Sequence, residues 1–170
     1  MFYLFSLPKM SKVFYGLALV CLLFGCTKIQ QVAKEFEATE VAQDERTQKI
    51  QNANLDNPEY VLSVQDIANE FSNNSVTAEN KYMDRVVELS GTIGSIDDSL
   101  LDESNATVSI RGDEYSLSSV SCNVRRNSEA AQVLQKGMNI VFRGVVTSED
   151  TGIEMSRCNF WISDENRWIT

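Results

Sequence analysis

The sequence has 170 residues and no histidine. That excludes Ser-His and Cys-His nucleophile pairs and histidine-based metal sites. The remaining soft groups are Cys21, Cys26, Cys122 and Cys158. None of them forms the Cys-x-x-Cys spacing in which paired thiols do redox catalysis. Carboxylates cluster at Asp97-Asp98, Asp102-Glu103 and Asp113-Glu114. They could offer oxygen ligands to calcium or a negative patch to a basic partner. The sequence lacks a calcium-loop pattern, so solvated loop charge is the expectation. No carboxylate pair is placed by sequence in a way that argues hydrolysis. Arg125-Arg126 is the only adjacent basic pair, too little for a nucleic-acid groove. Tyr115, Phe142, Phe160 and Trp161 fall in strand-like stretches, where they either stack against bases or sugars or fill a core. The residues imply no metal, no cofactor and no enzyme.

Charge narrows the partners. The net charge is −9, and residues 1–25 contain Lys9 and Lys12 but no acid, so the remainder carries −11. A phosphate backbone demands clustered Lys and Arg, and this chain is expected to repel one.

The N-terminus reads as a targeting segment. Lys9 and Lys12 precede an apolar run from Val13 to Phe24, the length of a signal-peptide core and short for a membrane span. The run ends in Leu23-Phe24-Gly25-Cys26, which resembles the bacterial lipobox. That resemblance implies cleavage before Cys26 and a diacylglycerol on its sulfur. An uncleaved anchor, or a plain signal peptide with an incidental cysteine, are the alternatives. Met10 could equally be the start. Thr27 rather than Asp follows the cysteine, which in a Gram-negative host resembles lipoproteins sorted to the outer membrane. Residues 1–25 are thus expected to be a lipoprotein signal peptide, with the mature chain facing the periplasm.

The segment 26–59 is polar, with Ile29, Val32, Phe36 and Val41 thinly spaced at near-helical intervals. So thin a stripe cannot build a core. It reads as a helical or partly disordered tether that Asn57-Pro58 closes. A coiled-coil or partner-binding helix is the alternative, although no heptad persists.

Residues 60–170 read as one domain. Ser63 and Asp66 form a capping box for a helix that puts Val64, Ile67, Ala68 and Phe71 on one face. A short helix follows over Thr77–Met83. Arg85–Ile96 alternates like a long strand, with Val87, Leu89, Gly91, Ile93 and Ser95 on one face and Ile96 on the other. Gly91 and Gly94 inside it signal a bend or bulge. Further strands are expected over Ala106–Ile110, Tyr115–Val124, Met138–Thr147 and Ile153–Ile162. In the last, Ile153, Met155, Arg157, Asn159 and Trp161 share a face. A helix over Ser128–Gln135, stopped by Gly137, separates the third and fourth strands.

Three strands, a helix and two strands is the connectivity of the OB-fold, a five-stranded Greek-key barrel. Five strands in an open sheet are the alternative. The run Ser63-Val-Gln-Asp-Ile, then Asn80-Lys81-Tyr82 and Val87-Glu-Leu-Ser-Gly91-Thr-Ile, resembles the tRNA_anti-like group of bacterial and phage OB-fold proteins. So do Cys122, Leu134-Gln-Lys-Gly137, Val141-Phe-Arg-Gly144 and Cys158. The resemblance spans about Tyr60 to Ile162 and implies a fold, not an RNA ligand. With Cys21 removed and Cys26 acylated, Cys122 and Cys158 form an even pair in an exported domain, which reads as a disulfide. The third and fifth strands of an OB-fold are neighbours, so the bridge is geometrically reasonable. Two buried thiols are the alternative. The functional expectation is a lipid-anchored, non-catalytic envelope module that contacts another envelope protein. An OB-fold holding an oligonucleotide or oligosaccharide in its groove is the alternative.

Overall fold

The computed structural model describes residues 26–98, 104–113, 118–148 and 152–170, with side chains from residue 35 onward. The expected signal peptide lies outside these residues, as do Asp102-Glu103 and the stretch from Glu114 to Leu117. By chain contacts the protein divides at Glu45/Arg46.

Helix α1 (Cys26–Gln51) covers most of the polar segment 26–59. In the part before Arg46, Phe36 and Val41 are exposed. Among the described residues no helix is long and apolar enough to cross a membrane.

From Arg46 onward the elements are β1 (Tyr60–Ser63), α2 (Val64–Asn73), α3 (Ser75–Tyr82), β2 (Val86–Asp98), β3 (Asn105–Arg111), β4 (Ser119–Arg125), α4 (Glu129–Val133), β5 (Asn139–Ser148), β6 (Ile153–Ile162) and β7 (Arg167–Ile169). Strand β2 pairs with β3, β3 with β4, β4 in parallel with β6, β6 with β5, and β5 back with β2. That closed five-stranded circuit, with α4 between its third and fourth strands, is the OB-fold. Ser63 caps α2 as expected: Asp66 N donates to its Oγ at 3.1 Å, and its own backbone N donates to Asp66 Oδ2 at 3.3 Å. The amphipathic face of α2 then buries Val64, Ile67, Ala68 and Phe71 in the barrel core.

Strand β2 is the hub. Along one edge it pairs with β5 from Val86 to Thr92. Thr92 also pairs with Arg111 of β3, and Val87 to Ser90 also pair with β1, so β1 and β3 share the other edge. Gly91 sits where that edge passes from β1 to β3. A Cβ there would lie 2.6 Å from Arg111 O and 2.8 Å from Ile110 Cγ2, so only glycine admits this approach.

Four expectations need correction. The pairing slips between Ile93 and Ser95, so Gly94 is a bulge as expected, but the phase beyond it is not the expected one. Beyond it the alternation changes phase, so Ile96, not Ser95, packs on the core. A second slip occurs in β6, where Arg157 has a φ of 55°. Ile153 and Met155 are buried before it; after it Cys158, Phe160 and Ile162 are, so Trp161 no longer shares a face with Ile153. The short α4 ends at Val133 with Leu134 as its cap. Gly137, at φ 88°, instead turns the chain so that its N–H reaches Ile93 O at 2.8 Å. Finally, β1 and β7 extend the sheet to seven strands. Both are too short to carry a periodic signal.

Candidate functional site

The bridge between Cys122 and Cys158 is present, with an S–S distance of 2.08 Å and Cα atoms 6.1 Å apart. Both residues are buried in the core. The disulfide ties β4 to β6, the parallel pair that closes the barrel. Of Cys26 only the backbone is described. It opens α1, and its lipidation belongs to the functional reading below.

The other singled-out residues are scattered. Phe142 and Phe160 are fully buried, their rings 6.0 Å apart inside the barrel. Asp98 is spent on an ion pair with Arg126. Among the described residues no cluster of His, Cys, Asp or Glu could hold a metal. Tyr115 lies outside the described residues.

Two outer faces remain. The first belongs to β3 and β4, whose inward positions are Ala106, Val108, Ile110, Val120, Cys122 and Val124. Their outward partners are cross-strand pairs of small polar residues, Thr107 with Asn123 and Ser109 with Ser121, ending in Arg111 with Ser119 and Asn105 with Arg125. Thr107 Oγ1 donates to Asn123 Oδ1 at 2.9 Å. The described residues of this face include no aromatic ring.

The second face belongs to β2, β5, β6 and β7. Its outward residues form one transverse row: Ser90 pairs with Val141, Val141 with Trp161, and Trp161 with Trp168. The two indoles lie 5.4 Å apart, tilted by 58°. Both are half-buried. Beside them Arg143 stacks its guanidinium 4.1 Å from the Trp168 ring. Glu88, its cross-strand neighbour, accepts its Nε–H at 2.6 Å. A guanidinium held between a carboxylate and an indole is fixed in place and already neutralised.

The next row toward the start of β2 is not free surface. Val86 and Val145 are covered by Leu55, with Ile50 and Ala53 alongside. Arg157 fixes that cover by donating Nη1 hydrogen bonds to Ile50 O at 2.9 Å and Ala53 O at 2.8 Å. Arg46 adds bonds to Asp84 Oδ1 at 2.8 Å and Thr147 O at 2.9 Å. On the side of β7 turned away from Trp168, Arg167 forks onto Glu129 of α4. This hydrogen bonding holds the Glu129 carboxyl below its ordinary value.

Sequence reasoning found Trp161 but placed it on the wrong face of β6. It missed Trp168 and Arg143. The signal that could have found them is modest: Val141 and Arg143 alternate with Phe142 in the predicted fourth strand.

The family model described as tRNA_anti-like matches residues 9–159. Among solved structures, a "putative nucleic acid-binding lipoprotein" from Klebsiella pneumoniae subsp. pneumoniae is similar at 22% identity. The similarity has a TM-score of 0.51 and covers 59% of this chain and 89% of that one. At that identity the likeness concerns the fold. No curated protein matches the chain significantly.

Proposed function

The chain belongs to the tRNA_anti-like family, and from that premise we propose that it is a lipid-anchored, non-catalytic binding module of the cell envelope, contacting another envelope protein through its tryptophan face. The observation that carries this reading is the outward row ending in Trp161 and Trp168 with Arg143 stacked beside it. Trp and Arg dominate the energetic centres of protein contacts, where a few pre-positioned large side chains supply most of the affinity. Here the arginine is already ordered, so little side-chain entropy is left to lose on binding.

The anchor reading rests on the lipobox-like Leu23-Phe24-Gly25-Cys26, and the Klebsiella structure carries the word lipoprotein in its name. The same name mentions nucleic acid, which makes an oligonucleotide the rival ligand. Against it stand the net charge of −9 and the β3–β4 face, whose described residues include no aromatic ring on which a base could stack.

The test is crosslinking in the native envelope with the anchor intact. A defined protein adduct is expected, lost in Trp168→Ala and weakened in Cys26→Ser, which should also stop incorporation of a labelled fatty acid. An adduct indifferent to Trp168→Ala would move the contact elsewhere. Salt-sensitive micromolar binding of single-stranded DNA would favour the rival.

A further inference from the structure

Val86, Val145 and Ser156 are cross-strand neighbours on the outward face, one row from Arg143 and two rows from Val141. Leu55, with Ile50 and Ala53, covers this row in an apolar cluster separate from the barrel core. We propose that residues 46–56 are a releasable latch. The latch lifts off a barrel that stays folded, and while closed it limits access to the tryptophan face. The opening stands on the geometry of the covered row; the limit on access rests on the protein-contact reading above.

Strain and desolvation both weigh on the closed latch. Among the described residues the non-glycine positions at positive φ are Asp84, Arg157 and Asn166. The first two are the residues that grip the latch. Asp84, at φ 59°, accepts from Arg46 Nε at 2.8 Å. Arg157, at φ 55°, donates to the carbonyls of Ile50 and Ala53. Residues with side chains rarely adopt this backbone region, and where they do, surrounding contacts hold them there, as at clamps and switches. Ser156, the cross-strand partner of Val145, adds a second cost. Its hydroxyl is buried with no hydrogen-bond partner among the described residues. A hydroxyl stripped of water and given nothing in return destabilises the closed form, and it regains water when the cover lifts.

What holds the latch closed is slight. Leu55 is its one buried apolar side chain, while Ile50 and Ala53 are only partly buried. Its turns close on long hydrogen bonds, 3.3 Å from Ala53 N to Ile50 O and 3.4 Å from Asn57 N to Asn54 O. The bonds from Arg46 and Arg157 that tie it to the barrel are exposed. Segments with few buried apolar contacts and exposed hydrogen bonds open locally, at less cost than global unfolding. The latch also reaches the contact face itself. Asp56 lies 3.8 Å from Nη1 of Arg143, the guanidinium that stacks on Trp168. Lifting the latch bares Val86 and Val145 and leaves Arg143 to Glu88 alone. The open form thus presents a larger apolar face beside the same arginine.

Hydrogen exchange of the full-length protein, read by mass spectrometry, tests the opening. Peptides over residues 47–55 are compared with peptides over residues 86–93 of β2. Arg157→Gly removes the grip and suits the backbone angle, so it should speed exchange in 47–55 by about tenfold. Ser156→Ala removes the stranded hydroxyl and should slow it severalfold. Exchange in β2 should stay as it was in both variants. The limit on access is read with a photo-activatable amino acid at Ser163 in the native envelope, where Leu55→Asp should raise the yield of protein adduct about twofold or more. The inference is overturned if neither substitution changes exchange in 47–55, if Arg157→Gly loosens β2 equally, or if Leu55→Asp leaves the yield unchanged. An adduct unchanged by Leu55→Asp yet lost in Trp168→Ala would overturn the latch and keep the contact. An adduct indifferent to Trp168→Ala would overturn the contact and the limit on access together, with the opening still decided by exchange.

Discussion

The β3–β4 face and the β2–β5–β6–β7 face are built from the same barrel by the same alternation, yet they offer opposite chemistry. On β3 and β4 every second residue enters the core and the outward ones are serine, threonine, asparagine and terminal arginines. On β5 and β6 the inward positions hold Phe142 and Phe160, and the outward ones hold Val141, Arg143 and Trp161. The second face also gains a strand: β7 adds Trp168 directly beside Trp161. The lesson is that OB topology does not fix which face of the barrel carries exposed aromatic area. Here the half-buried aromatic area lies away from the β3–β4 face, and the short C-terminal strand decides where.

The largest expected effect concerns whether the two faces are one unit. Cys122–Cys158 links β4 of the polar face to β6 of the tryptophan face across a separation of 36 residues. Replacing both cysteines with serine should cost about 3 kcal/mol and lower a single melting transition. Separate transitions for the two tryptophans and for the whole-domain circular dichroism would break the picture of one cooperative barrel.

Next come the glycines of β2. An added Cβ at Gly91 meets the Arg111 carbonyl and Ile110, while at Gly94 its nearest neighbours are atoms of the Arg111 side chain, with Nε 2.8 Å away. Backbone cannot yield and a flexible arginine can. Gly91→Val should therefore cost about 2–3 kcal/mol and Gly94→Val less than about 1 kcal/mol. Equal costs in denaturant unfolding would contradict the assigned edge. A smaller stability change, about 1 kcal/mol, is expected from Trp168→Ala, which removes one indole pair and one arginine stack. Asn123→Ala on the opposite face should be close to neutral.

The weakest effect is the acid response. Asp66 is held low by its hydrogen bonds from Ser63, Glu70 by its bond from Lys81, and Glu129 by its bonds from Arg167. A lowered folded-state value means stability that is present above the ordinary carboxylate values of 3.8 and 4.5 and fades as pH falls below them. Because these groups are exposed, the slope should be shallow. A melting temperature that rises on acidification through this window would reverse the sign of the argument.

Much of the fold was legible because it rests on periodic signals. The capping box at Ser63 and Asp66, the core face of α2 and the full span of β6 all follow from local pattern. What failed did so for identifiable physical reasons. Bulges at Gly94 and Arg157 shift the alternation, and nothing in the local sequence marks Arg157 as a left-handed residue. Its reward is tertiary, two carbonyls of the segment near Ala53. Strands β1 and β7, of four and three residues, exist because a neighbouring edge is available, not because their own sequences insist. The disulfide was readable from cysteine parity and strand order. The tryptophan face was not, since it needs β7 and the corrected phase of β6 together.

The central claim is that contact is made on the tryptophan face. A photo-activatable amino acid placed at Ser163 and, separately, at Asn123, both exposed, samples the two faces in intact cells carrying the anchored protein. The account predicts a discrete protein adduct from position 163 that disappears when Trp168→Ala is added, and none from position 123. An adduct from position 123 alone, unaffected by Trp168→Ala, would contradict it.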